Sequence, residues 1–84
     1  MKPIVLSRHA SEQAAERGTS SDQIQETIRE AGWQLARSGR YECRKDFMFE
    51  SVWLGKPYAT KQVRPVFVEE DERIVVVTVY VYYF

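Results

Sequence analysis

The stretch VRPVFVEEDERIVVVTVYVYYF, residues 63–84, decides the fold. Two runs rich in β-branched and aromatic residues flank a tip, Glu69–Arg73, whose four carboxylates and arginine belong in water. The pattern predicts a β-hairpin. In its second arm, strict alternation puts Val75, Val77, Val79 and Val81 on one face and Val76, Thr78, Tyr80 and Tyr82 on the other. The all-valine face has no polar group that needs a partner, so it is expected to pack on helices. The Thr/Tyr face is then the candidate working surface. Pro65, in the first arm, has no N–H to give a ladder, which predicts an edge or a bulge around it.

Upstream, Ser7 can cap a helix from about Arg8 to Arg17, with Gly18 as its left-handed stop. Its apolar content, Ala10, Ala14 and Ala15, allows close approach but little burial. Ser20 and Gln23 have the spacing of a capping box, and Ile24, Thr27, Ile28 and Ala31 recur at helical spacing up to Gly32. The period then changes. WQLAR, residues 33–37, and RYECRKDFMF, residues 40–49, read as extended segments joined by a tight Ser-Gly turn. The second continues through FMFESVWL, residues 47–54, with a bulge; Gly55–Pro57 breaks it, and the chain is extended again from Tyr58 to Val68. The expectation is an α+β fold: two N-terminal helices packed on a three- to four-stranded antiparallel sheet. A chain of 84 residues buries only roughly 60% of its unfolded surface, so residues 1–84 form one domain.

Twelve basic and twelve acidic residues cancel, leaving no overall attraction to polyanions. The distribution is uneven, however. Arg37, Arg40, Arg44 and Lys45 cluster, and Lys56, Lys61 and Arg64 span a stretch without acids. One cysteine, Cys43, and one histidine, His9, make neither a disulfide nor a structural zinc site. A reducing cytoplasm is the expected setting. The apolar part of MKPIVLS is too short for a signal peptide, and IVVVTVYVYYF falls short of the ~20 residues of a membrane helix, so no membrane partner is expected.

His9 falls near the second position of the first helix, where free backbone N–H groups favour anions and a neutral imidazole. Such a ring beside a phosphate can take a proton from a ribose hydroxyl. Glu12, one turn on, favours the charged ring instead, leaving His9 a base, an acid, or simply a packed polar residue. Arg17 lies roughly 12 Å along the axis and about 80° around it, bordering the same groove or merely complementing the helix C-terminus. On the sheet, Lys61, Thr78 and Tyr80 with Arg44, Lys45 and Arg64 offer cations, hydroxyls and stacking rings, the components of a metal-independent RNA-cleaving surface. A solvated sheet face carries the same residue types without function, and Tyr82, Tyr83 and Phe84 fit packing or dimer contacts. No phosphate loop, dinucleotide fingerprint or metal motif is present, so no cofactor is expected.

An N-terminal SRHA…ERG, a middle FMF…WLGKPYATKQV and a closing RIVVVTVYVYYF together resemble a family of small bacterial proteins, the domain of unknown function numbered forty-two fifty-eight. The resemblance spans nearly the whole chain. Through that family it implies kinship with the superfamily of barnase, EndoU, colicin-type and RelE-type ribonucleases. It thus implies helices followed by an antiparallel sheet, RNA as substrate, and the toxin role of a toxin–antitoxin pair with a cognate antitoxin as partner. Carried onto this chain, it points to His9, Arg17, Lys61, Thr78 and Tyr80. RelE-type toxins are markedly basic, whereas this chain is neutral. The alternative reading is a non-catalytic interaction domain whose C-terminal strand, Tyr80–Phe84, pairs with a partner or with a second copy as a homodimer.

Overall fold

Helices form where their caps place them. In the computed structural model, which describes residues 1–84, α1 spans Arg8–Arg17. The Ser7 hydroxyl accepts from Ala10 N at 3.1 Å, and Gly18, at φ 82°, closes the helix by donating to Ala14 O. Helix α2 spans Ser21–Glu30, with Ser20 Oγ accepting from Gln23 N at 3.2 Å. It stops two residues short of the expected Gly32. Ala31 is already extended, and the Trp33 indole donates to Ile28 O at 2.8 Å, satisfying one of the carbonyls a helix leaves open at its end.

The sheet has six strands rather than three or four: β1 Ile4–Leu6, β2 Gln34–Leu35, β3 Tyr41–Glu42, β4 Lys45–Trp53, β5 Lys56–Glu69 and β6 Ile74–Tyr83. Their order is β1-β6-β5-β3-β2, with β4 also pairing with β5. The fold is α+β and mostly antiparallel, but β1 precedes the helices and runs parallel to β6, Ile4 opposite Ile74. Three residues are too few to show a strand's period. The strand read from Tyr41 onward is interrupted at Cys43–Arg44, and β4 carries its bulge between Met48 and Ser51, where Glu50 has φ 42°. The turn at Ser38–Gly39 is wider than expected. Ala36 N bonds Arg40 O at 2.8 Å around a loop in which both Ser38 and Gly39 have positive φ.

Pro65 lies inside the central strand, paired on one side with β6. Its imino nitrogen faces the gap between β3 and β4, where only its carbonyl is engaged, by Cys43 N at 3.4 Å. The break in the neighbouring strand is what admits a proline here.

The valine face departs from strict alternation. Val66 pairs with Thr78 but Phe67 pairs with Val76, leaving Val77 without a partner. This extra residue turns the strand over. The core side of β6 is therefore Ile74, Val76 and Val79, all buried, with Val81 partly so; Val75 and Val77 go to the opposite face. The buried residues meet Ile24 and Ile28 of α2, Ala10 and Ala14 of α1, and Phe67 and Val63 of β5. The Trp33 ring closes on Phe67 edge-on at 4.9 Å.

Beyond β1, the outer edge of β6 has no neighbouring strand. Helix α1 covers its first exposed position. Gln13 Oε1 accepts from Val79 N at 3.1 Å, and Arg17 Nη1 donates to Val79 O at 2.6 Å. No helix is long and apolar enough to cross a membrane.

Candidate functional site

Register places the site on the sheet face away from the helices. Arg64 of β5 lies opposite Tyr80, Val66 opposite Thr78, and Glu42 of β3 opposite Val66. The β2–β3 loop adds Ala36, Arg37 and Arg40 from the side, closing a hollow of about 490 Å³ around these groups. A smaller hollow of about 200 Å³ adjoins it, sharing Glu42 and Arg64 and adding Arg44.

The charge is one-sided. Glu42 is the single carboxylate in the main hollow, and Arg64 Nη2 binds it at 2.8 Å. That hydrogen bond holds the Arg64 guanidinium even more firmly protonated than usual. Arg37 and Arg40 make no ion pair, so their charge is free for a ligand. The Tyr80 ring, 40% exposed, has the Arg17 and Arg64 guanidiniums at 5.4 and 5.7 Å from its centroid. Arg17 reaches it by wrapping the edge of β6, the same side chain that binds Val79 O. Thr78 Oγ1 donates to Gln13 Oε1, which fixes the hydroxyl beside the bulge.

Of the residues singled out in the sequence, Thr78, Tyr80, Arg64 and Arg17 come together here, with Arg44 in the adjoining hollow. Lys61 and Lys45 do not. Both share the parity of Val63 and so face the helices. Lys61, 7% exposed, donates to Gly18 O at 2.9 Å, and burial lowers its pKa. Lys45 Nζ lies 2.7 Å from both Glu26 and Glu30 of α2, and these hydrogen bonds raise its pKa. His9 is exposed at the start of α1, one turn before Gln13, and lies outside both hollows. The four residues read from the sequence as catalytic candidates, His9, Lys61, Thr78 and Tyr80, are thus divided between two faces. The cause is the two-residue period of β5, which sends Lys61 and Arg64 to opposite sides.

Glu42, Arg37, Arg40 and Gln13 were not foreseen at this site. The signal for Glu42 was present: it is the one acid in RYECRK, residues 40–45. Cys43, next to it, points inward, its Sγ 3.6 Å from Thr27 O, and burial pushes its thiol up to about 12, with the Glu42 charge adding to the effect. Such a thiol is inert as a nucleophile at neutral pH. No group of three or more His, Cys, Asp or Glu side chains is placed to hold a metal ion.

The hollow can bind an anion with at least two fork-shaped donors, Arg37 and Arg40, beside the Glu42 carboxylate that Arg64 holds. No protein-family model, curated protein or solved structure matches the chain.

Proposed function

We propose that the protein binds RNA in the arginine-lined hollow and cleaves it there as a metal-independent endoribonuclease. The observation that carries this reading is that Arg37, Arg40 and Arg64 line one hollow with the single carboxylate of Glu42, which Arg64 pairs, and with the Tyr80 ring. Cleavage by transesterification sets the requirements. Glu42 takes the proton of the ribose 2′-hydroxyl as its oxygen attacks phosphorus, the guanidiniums bear the developing phosphorane charge, and the departing 5′-oxygen collects a proton from Tyr80. The products are a 2′,3′-cyclic phosphate and a 5′-hydroxyl. The α+β order supports the likeness to RelE- and barnase-type ribonucleases, and the exposed basic hollow suits an acidic antitoxin segment that would mask a toxin.

Purified protein incubated with total RNA and with translating ribosomes, in the presence of a chelator, tests the reading. The wild type and His9→Ala and Lys61→Ala variants are expected to give the same products, and Glu42→Gln to lose about a hundredfold in rate. No cleavage by the wild type, or equal cleavage by Glu42→Gln, overturns it.

A second reading, a non-catalytic domain that pairs strands through β6, draws on a different observation. Thr60 and Phe84 exchange both backbone hydrogen bonds, so by alternation Val81 and Tyr83 turn their N–H and C=O groups outward, where no strand lies.

A further inference from the structure

The sequence offers Tyr82 for packing or dimer contacts; its ring is 44% exposed on the same face as Tyr80, two residues further along β6. We infer that Tyr80 and Tyr82 form a two-base stacking platform that restricts the arginine-lined site to unpaired, single-stranded nucleic acid. The inference deepens the RNA reading above and rests on it.

Three observations carry it. First, residues i and i+2 of a strand stand ~7 Å apart, about twice the ~3.4 Å rise of stacked bases. Each ring can therefore take one base of a strand drawn out of its helical stack. In a duplex the base faces are already covered by their neighbours. Second, the cations lie on the same face as the rings. Arg64, opposite Tyr80 in the register, sits within 6 Å of that ring, and Arg37 and Arg40 line the hollow on the side of Tyr80 away from Tyr82. A backbone running along β6 thus passes guanidiniums at one end and exposed rings at the other, the combination single-strand binders use. Third, the Tyr82 ring makes no aromatic pair, its hydroxyl alone being engaged, beside Arg64, whereas its neighbour Tyr83 turns the other way, packs on Phe49, Trp53 and Tyr58, and donates to Arg17 O at 2.7 Å.

The test measures binding of fluorescein-labelled U12, the same strand annealed to A12, and dT12 to the wild type, Tyr82→Ala, Tyr82→Phe and the Arg37→Ala/Arg40→Ala double variant. The wild type is expected to prefer both single strands to the duplex. Tyr82→Ala should weaken U12 and dT12 by about five- to a hundredfold and leave the duplex unchanged, while Tyr82→Phe, which keeps the ring, binds as the wild type. Unchanged duplex binding also shows that Tyr82→Ala is folded. Equal affinity for U12 and duplex, or no effect of Tyr82→Ala on U12, overturns the platform while arginine-dependent binding keeps the RNA reading. Absence of any binding by the wild type overturns both.

Discussion

Cys43 is 4% exposed beneath α2, and its thiol is held protonated well past its ordinary value of 9.0, to about 12. Because the folded pKa is the higher one, the unfolded chain loses this proton first. The stabilising contribution is complete below pH 9.0 and is lost as pH rises from there to about 12. The slope is at most about 1.4 kcal/mol per pH unit. Melting curves between pH 8 and 11 are expected to fall more steeply for the wild type than for Cys43→Ala; parallel falls would refute this. The thiol's inward direction was not visible in RYECRK, because the gap at Cys43–Arg44 breaks the alternation from which direction is read. Residue chemistry was legible where a type has one use, as with Ser7, Gly18 and Ser20 at helix ends. It was not legible for Lys61 and Arg64, whose side of the sheet is set by the parity of β5.

At the scale of elements, α1 earns its place less by burial than by what it does to the edge of β6. Gln13 and Arg17, one turn apart, take up both backbone groups of Val79, and Gln13 also holds Thr78. Gln13→Leu is expected to cost about 1–2 kcal/mol, a drop of roughly 4–16 °C in Tm, with faster amide exchange at Val79; Gln13→Glu, which keeps the acceptor, should lose less. An unchanged Val79 exchange rate would show that the edge is protected by other means. Both helices and the final hairpin were readable from caps and β-rich runs. The bulge at Val77 was not, since Val75–Thr78 are all β-branched and offer no glycine or polar residue to mark it. That one residue decided which valines form the core.

Across the whole molecule, a formal charge of zero conceals a division between faces. The helix side pairs Lys45 with Glu26 and Glu30, while the opposite side gathers Arg37, Arg40, Arg44 and Arg64 around Glu42. Composition reports only the sum, so the basic face was legible as clusters in sequence but not as a surface. The β6 edge gives the strand-pairing reading its own measurement. Light scattering should give twice the 9.9 kDa chain mass, reverting to one chain in Val81→Pro, whose missing N–H was not part of the β5 ladder. A single-chain mass for the wild type sets that reading aside. The parallel seat of β1 against β6 also has a consequence in time. Ile4 waits for Ile74, and Gln13 and Arg17 wait for Val79, so during synthesis the first helix lacks its main support until the sixth strand has left the ribosome. Until β6 has emerged, the nascent chain must therefore keep Ile4 and the strand that carries it without a partner.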